Sequence, residues 1–386
     1  MKIPSTKPFF SEEDIVSISM EVCSILRSGR LILGSYTKEF EEQFQKYCGV
    51  KHAIAVSSCT SALEISLRYF NIKDKEVIVP TNTFIATSNA VIYGGGTPIL
   101  TDINPKTLCL DFNEFYSKVS NNTKGVIVVH LAGLPCPDTE KISKFCRENG
   151  LFMIEDAAHA HGARINGRST GSLGDGGCFS FYPTKDLTTC TGGMITTDDD
   201  NLADFAISLR HHGVAKNIGA STDLNRIINL GNDWLMDEIS ALIGLYQLRA
   251  LESNVIRRNE VAIKYGDTLK NLNGVKLFAV PTNSRHAYYK YPILLSESID
   301  KKKVIEKMKT TYNVALGSAY DPPCHLQPVY QRLFGFGLGM FPVAEDILAR
   351  TCCLPMYAQI TDEEINYVLE SLRETLGDSD VMKACL

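Results

Sequence analysis

The sequence lacks the features of nucleic-acid-binding, membrane-spanning and disulfide-stabilised proteins. Its net charge is −5, and no run of Lys and Arg is long enough to bind a polyanion. No apolar run reaches membrane-spanning length, and the first residues lack the apolar core of a signal peptide. The twelve cysteines include no Cys-x-x-Cys pair, which argues against structural zinc and a disulfide framework. We therefore expect a metal-free cytoplasmic protein that binds small molecules.

What the sequence does contain is an alternation of short apolar runs with helical patterns. This alternation is typical of βαβ units and a mainly parallel sheet that is buried on both faces, and hence of an α/β fold. Helices are predicted at residues 61–70, 82–93 and 138–149. Strands are predicted at residues 51–56, 76–79, 97–100, 125–129 and 151–154.

The chain, with 386 residues, is long enough for two domains with separate cores. Apolar residues recur at helical spacing from Asp237 to Leu251 and continue towards Tyr265. We interpret this helix as the bridge between a large domain, residues 1–250, and a smaller C-terminal domain, residues 251–386. Strand signals at 279–280 and 288–295, with helices at 301–308 and 362–375, predict an α+β arrangement for the smaller domain.

Two apolar segments carry side chains suited to pyridoxal phosphate (PLP) chemistry. Leu151-Phe-Met-Ile-Glu-Asp156 predicts a strand ending in a carboxylate that can pair with a pyridine nitrogen. Ser180-Phe-Tyr-Pro-Thr-Lys185 places a lone lysine in a second apolar strand, where it can form an imine with an aldehyde. Taken singly, Asp156 is explained as well by a helix cap, and Lys185 by a surface position. Their combination favours a PLP site.

Three further features would complete such a site. Ser57-Ser-Cys-Thr-Ser-Ala-Leu63 predicts a strand-to-helix junction whose free N–H groups can bind a phosphate. Taken alone, an ordinary helix cap is the commoner explanation of such a junction, and only the combination with Asp156 and Lys185 favours the phosphate. Phe84 starts a helix after a buried strand and could stack on one face of the pyridine. His159 could meet the other face or the ring hydroxyl. Either aromatic residue could instead belong to the core.

Taken in order, these motifs resemble the DegT/DnrJ/StrS family of fold-type-I, PLP-dependent nucleotide-sugar aminotransferases. The resemblance covers nearly the whole chain, and several motifs in order are more specific than any one. The matching segments are Phe40-Glu-Glu-Gln-Phe44, Tyr47-Cys-Gly49, Ser58-Cys-Thr-Ser-Ala-Leu63, Thr83-Phe-Ile-Ala-Thr87, Glu155-Asp-Ala-Ala-His-Ala-His-Gly-Ala163, Ser180-Phe-Tyr-Pro-Thr-Lys185, His325-Leu-Gln-Pro-Val-Tyr330, Phe341-Pro-Val-Ala-Glu345 and Leu354-Pro-Met-Tyr357.

The resemblance implies a large domain with a mainly parallel seven-stranded sheet between helices, and a smaller C-terminal α+β domain. It implies that Lys185 holds PLP covalently and that Asp156 pairs with the pyridinium nitrogen. It also implies a homodimer with active sites between the subunits, and amino transfer, usually from glutamate, to a nucleotide-linked keto-deoxy sugar in amino-sugar or polysaccharide biosynthesis. The other implied cofactor contacts are Ser58, Cys59, Thr60 and Ser180 at the phosphate, Phe84 and His159 at the ring, and Asp233 at the partner subunit's phosphate.

The chain departs from the family pattern at four positions. Asp186 stands where Asn usually follows the lysine, and Thr191 stands in a turn that usually carries an acid. Asp233 and Leu235 replace the usual Asn and Arg. An aspartate adds negative charge beside a phosphate, and the lost arginine removes a bidentate donor. The nucleotide-linked substrate is therefore less firmly implied than the cofactor, whereas Lys185 itself favours aminotransfer over the dehydration performed by a histidine-bearing branch.

The substrate and its contacts stay open at this point. Arg30, His325 and the segment Arg210-His-His-Gly213 are candidates for substrate contacts, and a structural role is equally compatible with each. One alternative is an aminotransferase that acts on a keto sugar or phosphorylated ketone without a nucleotide, and another is a PLP-binding regulatory protein. A dinucleotide-dependent dehydrogenase is disfavoured, because no Gly-x-Gly-x-x-Gly follows an early strand.

Overall fold

The computed structural model describes residues 1–215 and 226–377. The helices in these ranges are α1 Glu12–Ser28, α2 Ser35–Cys48, α3 Cys59–Tyr69, α4 Ile85–Tyr93, α5 Phe112–Ser117, α6 Thr139–Glu148, α7 Asp200–Leu209, α8 Glu238–Leu269, α9 Lys301–Thr310, α10 Pro328–Phe334, α11 Pro342–Arg350 and α12 Asp362–Leu376. The strands are β1 His52–Val56, β2 Glu76–Pro80, β3 Thr97–Thr101, β4 Thr123–Val129, β5 Phe152–Asp156, β6 Arg164–Ile165, β7 Arg168–Ser169, β8 Gly176–Ser180, β9 Gly193–Thr197, β10 Val275–Leu277, β11 Ser284–Arg285, β12 Tyr291–Leu295 and β13 Thr351–Leu354.

The central sheet has seven strands in the order β1-β9-β8-β5-β4-β2-β3. The neighbours from β8 to β3 pair in parallel, whereas β9 runs antiparallel to both β8 and β1. Because β9 is antiparallel to both of its neighbours, β1 and β8 run in the same direction. Strand β1 is therefore parallel to the other five strands. Six strands therefore end at one edge of the sheet, as the sequence predicted for a mainly parallel α/β fold.

The strand and helix predictions over residues 51–156 are confirmed, with shifts at the ends. Every residue of β5 is buried, as expected for a strand covered on both faces. Helix α4 begins later than predicted, because Phe84 is extended, with φ −69° and ψ 142°, and lies just outside the helix. Residues 81–84 therefore connect the end of β2 to the start of α4, at the edge where the parallel strands end.

A second, smaller sheet follows the long helix α8 in the order β10-β12-β13. It shares a hydrophobic cluster with the end of α8 and with α12, and this cluster also contains Ile3 from the start of the chain. The predicted strand at 279–280 is wrong, because both residues are exposed and the Ala279 N–H donates to the Lys106 carbonyl instead. Strand β12 begins at Tyr291 rather than 288, because Tyr288 has a φ of 52°, outside the β region.

Each of the eleven cysteines that the structure describes is a free thiol. Within residues 1–215 and 226–377, no helix combines the length and apolar character needed to cross a bilayer. The same ranges contain no group of three or more His, Cys, Asp or Glu side chains arranged to hold a metal ion.

Candidate active site

The ends of the parallel strands surround a cavity of about 450 Å³. Val56 at the end of β1 and Ser180 at the end of β8 both pair with Gly193, so the residues after β1 lie beside β8. Strand β5 lies next to β8 and ends in Asp156. Eight of the predicted cofactor residues line this cavity: Ser58, Cys59, Thr60, Phe84, Asp156, His159, Ser180 and Lys185.

Lys185 reaches the cavity from a turn, not from a strand. Strand β8 ends at Ser180, and Pro183 cannot donate a hydrogen bond to continue the pairing. The Lys185 N–H instead closes the turn onto the Tyr182 carbonyl at 2.9 Å. The prediction of Lys185 within a strand is therefore wrong, although its side chain does enter the site.

The Lys185 amine is set up to act as a nucleophile and a base. Its Nζ lies 4.6 Å from the centre of the Tyr289 ring. Burial lowers the pKa of Lys185 from 10.5 to about 8, against the opposing effect of the Asp156 charge. A substantial fraction of the amine is therefore neutral near physiological pH, and only the neutral form attacks an aldehyde or accepts a proton.

Asp156 is held at a defined angle by two donors. Thr87 Oγ1 donates to its Oδ2 at 2.7 Å, and the Ala158 N–H donates to its Oδ1 at 3.1 Å. The preceding residue, Glu155, points to the opposite side of β5, where its carboxylate accepts from His130 and from backbone N–H groups including that of Gly171. Because successive side chains of a strand point to opposite faces, Glu155 is bound by the surrounding protein, whereas Asp156 faces the cavity.

His159 is fixed as a neutral imidazole. Burial, with Lys185 and Lys290 adding to it, lowers its pKa well below the ordinary value. The Ala132 N–H donates to Nδ1 at 3.3 Å, so Nδ1 carries no proton and Nε2 does. That Nε2–H then donates to Tyr320 Oη at 2.8 Å. The ring is thereby oriented from both sides.

The start of α3 forms an anion-binding corner. Ser58 caps the helix in a reciprocal capping box with Ser61, and the first turn contains no acidic residue. A side chain at Gly193 would place Cβ 2.3 Å from the Ser58 carbonyl carbon and 2.6 Å from the Cys59 nitrogen. Glycine therefore allows β9 to pack against the helix start, where free N–H groups and the helix dipole favour an anion.

Sequence reasoning misses the cavity residues that come from beyond helix α8, namely Tyr289, Lys290 and Tyr320. They come from the C-terminal part of the chain and carry no local motif for this chemistry. The one sequence signal is the aromatic density of His286-Ala-Tyr-Tyr-Lys-Tyr291 at the start of a strand. Tyr320 also approaches Phe84, which is 57% exposed, at 5.9 Å between ring centres.

His325 does not reach this cavity. It is fully buried, with Nδ1 2.7 Å from Thr81 Oγ1 and Nε2 2.9 Å from Glu345 Oε1. Both ring nitrogens therefore have protein partners, which favours a structural role over the substrate contact. Arg210 is likewise occupied, by the Glu41 carboxylate and by the Ala55 carbonyl.

Arg30 and Asp233 also lie away from the cavity within one chain. The Arg30 guanidinium donates to the Leu33 carbonyl at 2.6 Å and lines a different cleft, beside Glu238. Asp233 is exposed, in a segment whose backbone pairs with His211. Contacts of either residue with substrate or cofactor would require a second subunit.

The departures after Lys185 have defined surroundings. Asp186 is buried, with Oδ1 2.8 Å from Arg258 Nη2, an ion pair without good hydrogen-bond angles. Burial raises the pKa of Asp186 from 3.8 to about 6. Thr191 Oγ1 donates weakly to the Ser57 carbonyl at 3.4 Å. Cys190 has a φ of 69°, a left-handed conformation that favours glycine.

This donor set fits PLP. The cavity combines a lysine amine with a lowered pKa, a fixed carboxylate and a helix start that favours a phosphate. The profile of the DegT/DnrJ/EryC1/StrS aminotransferase family matches residues 13–373. The chain belongs to this family. As a member of this family, the protein is a sugar aminotransferase with the fold-type-I architecture, and PLP is its cofactor.

Individual relatives agree with this assignment. The chain is 36% identical over 373 residues to GDP-perosamine synthase of Caulobacter vibrioides, covering 95% of each protein. It is 35% identical over 387 residues to the spore coat polysaccharide biosynthesis protein SpsC of Bacillus subtilis, covering 98% of each. Among solved structures it is similar to NtdA of Bacillus subtilis with bound PMP, the aminated form of PLP, with a TM-score of 0.86, 28% identity and coverage of 97% of this chain and 86% of that one.

Proposed function

We propose that this enzyme transfers the amino group of L-glutamate to a nucleotide-linked keto-deoxy sugar, for amino-sugar or polysaccharide biosynthesis. The observation that carries the proposal is a second cavity of about 530 Å³ that opens from the first. The two share the residues Thr83, Phe84, Thr184, Tyr289, Lys290 and Tyr320. The combined volume leaves room for a substrate considerably larger than an amino acid beside the cofactor.

The lining of the second cavity suits a sugar. It adds hydroxyl and amide side chains from Ser5, Thr6, Ser318 and Gln327 to the shared aromatic residues. Hydroxyl groups of a sugar exchange hydrogen bonds with such groups, and its apolar faces pack on aromatic rings. The nucleotide linkage is supported by the name of the Caulobacter relative, and the biosynthetic role by that of SpsC.

The chain's own residues divide the chemistry between them. PLP, when bound, supplies an electron sink for the carbon that loses its proton. Asp156 stabilises positive charge on the pyridine nitrogen, because its carboxylate is buried and aimed by Thr87. Lys185 would act as the base that accepts the proton leaving the substrate carbon. His159 does not compete for that proton, because its pKa is held well below the ordinary value.

We also propose a homodimer whose subunits complete each other's sites. Helix α1 leaves Val16 and Met20 more than half exposed, and Ile227 and Leu230 are exposed near Asp233. Clusters of exposed apolar side chains of this kind mark protein interfaces. In such a dimer Asp233 and Arg30 would approach the partner's cofactor and substrate. The free cysteines support the proposed cytoplasmic location.

The decisive experiment follows the visible spectrum of the PLP-loaded protein during addition of glutamate, and then of keto-deoxy sugars. We expect glutamate to convert the cofactor to PMP, and a sugar carrying GDP, dTDP or UDP to restore the PLP spectrum with formation of an amino sugar detected by mass spectrometry. Equal turnover of the same sugars without a nucleotide would contradict the nucleotide assignment.

The dimer is tested by light scattering and by mixing variants. Lys185→Ala should be inactive alone, and so should Asp233→Trp, because its indole would block the partner's phosphate site. Co-expression of the two should restore part of the activity, because one hybrid site then has both native residues. A monomeric mass, or no restoration in a demonstrated hybrid dimer, would contradict shared sites.

A further inference from the structure

The joined cavities contain one cation whose partner is absent from the described chain. The charged residues lining them are Asp156, Lys185, Lys290 and Asp321. Asp321 is paired with the Lys301 amine, and Asp156 and Lys185 belong to the cofactor site. No carboxylate of the described residues forms an ion pair with Lys290.

The Lys290 amine is held in place by neutral groups. Its Nζ donates to the Ser318 carbonyl at 2.5 Å and lies 4.9 Å from the centre of the Tyr320 ring. An ammonium has three donors, so this contact leaves two for a ligand. Partial burial lowers the pKa of Lys290 below its ordinary value, and an anion bound beside the amine would oppose this effect by favouring the charged form.

The backbone around Lys290 is anchored to the cofactor site. The Lys290 N–H donates to the Ala132 carbonyl at 3.1 Å, and the Ala132 N–H donates to His159. The neighbouring Gly133 could not carry a side chain here, since its Cβ would lie 2.9 Å from the Tyr288 nitrogen. The amine therefore extends from a segment whose position relative to His159 is fixed.

Lys290 also lies near enough to Lys185 for its charge to help lower the pKa of Lys185. Both amines lie over the same ring: Lys185 Nζ is 4.6 Å, and Lys290 Nζ 5.7 Å, from the centre of Tyr289. In an α-amino acid a single carbon separates the reacting nitrogen from the carboxylate. A group that binds this carboxylate must therefore lie near Lys185, on the side from which the donor enters.

We propose that Lys290 binds the α-carboxylate of the amino donor and thereby positions its amine towards Lys185. This inference rests on the proposed function. The carboxylate would accept two charge-assisted hydrogen bonds from the ammonium. Its negative charge would also stabilise the charged form of Lys290, which partial burial disfavours. A phosphate of the sugar nucleotide has similar chemistry, so the test must separate the donor from the acceptor.

The test compares Lys290→Gln and Lys290→Arg with the wild type, and with Lys303→Gln as a control for the loss of one exposed lysine. The conversion of PLP to PMP is followed over a range of glutamate concentrations, and the acceptor half-reaction separately. We expect Lys290→Gln to raise the half-saturating glutamate concentration at least about tenfold, with a smaller change in the maximal rate. Lys290→Arg should recover part of the affinity, and the control should match the wild type.

Each outcome decides between the assignments. Unchanged glutamate saturation in Lys290→Gln, with the PLP spectrum and melting temperature intact, would overturn the inference. A change confined to the acceptor half-reaction would also overturn it and would assign Lys290 to the sugar nucleotide. If the wild type reacts with another amino acid but not with glutamate, the donor in the proposed function is wrong, and the same variants are compared with that amino acid.

Discussion

The ion pair between Asp186 and Arg258 should make a large and pH-dependent contribution to stability. Arg258 connects three parts of the chain: Nη2 lies 2.8 Å from Asp186, and Nη1 donates to the carbonyls of Tyr288 at 2.9 Å and Met356 at 3.2 Å. Arg258→Met removes these contacts and leaves the buried Asp186 carboxylate without its ion-pair partner. We expect a loss of about 3–5 kcal/mol at pH 7, the usual cost of breaking one side of a buried pair.

The direction of the pH effect follows from the pKa of Asp186. Burial raises this pKa from 3.8 to about 6, so the folded protein binds the proton more tightly than the unfolded chain. The resulting stabilisation is present below pH 3.8 and is lost as the pH rises through 6, an effect of about 3 kcal/mol. Without Arg258 the pKa should rise further, so the defect of the variant should be smaller at pH 5 than at pH 7.

A double-mutant cycle tests this reasoning. Unfolding by urea, followed by circular dichroism at pH 7 and pH 5, is compared for the wild type, Arg258→Met, Asp186→Asn and the double variant, with Arg332→Met as an exposed control. The double variant should be more stable at pH 7 than Arg258→Met, because it no longer buries an unpaired charge. Equal stabilities of these two variants, or an unchanged defect at pH 5, would refute the argument.

Three further predictions concern the cofactor site. Uptake of PLP by the apoenzyme should accelerate with pH and level off above about 8, because only the neutral Lys185 amine attacks; a flat profile in stopped-flow absorbance would contradict this. Asp156→Asn should lower kcat on the order of 100-fold with the fold intact, measured by steady-state kinetics and circular dichroism, because the charge opposite the pyridine nitrogen is lost. Gly193→Val should weaken PLP binding at least about tenfold in fluorescence titrations, because its Cβ displaces Ser58; unchanged affinity would show that the helix start can move.

The sequence predicts those site residues that directly follow or end a recognisable strand. Asp156 ends an apolar run and the Ser58 segment follows another, and parallel strands end at a common edge, so their meeting in one cavity follows from the pattern. The sequence predicts a strand through Lys185 because Phe179, Phe181 and Tyr182 are strand formers. The structure shows that Pro183 ends that pairing, and burial comes instead from Tyr289, over a hundred residues away.

The remainder depends on long-range packing that leaves no local signal. Tyr320 enters the site through its bond to His159, across 161 positions of sequence. The sequence around His325 is equally compatible with a substrate contact and a structural role, because its partners Thr81 and Glu345 come together with it only in the folded chain. No periodicity in the sequence distinguishes a histidine with two protein partners from one that faces a ligand.

The continuity of helix α8 limits whether the two proposed domains can be expressed separately. It is continuous from Glu238 to Leu269, so the boundary proposed at residue 250 lies inside it, and Ile3 packs into the C-terminal cluster. A fragment starting at residue 251 would begin in mid-helix and would lack the strand-like bridge between Ile3 and Val314. The two halves should therefore resist separate expression and exchange between homologues, and chimaeras should join only where α8 and the first residues come from the same parent.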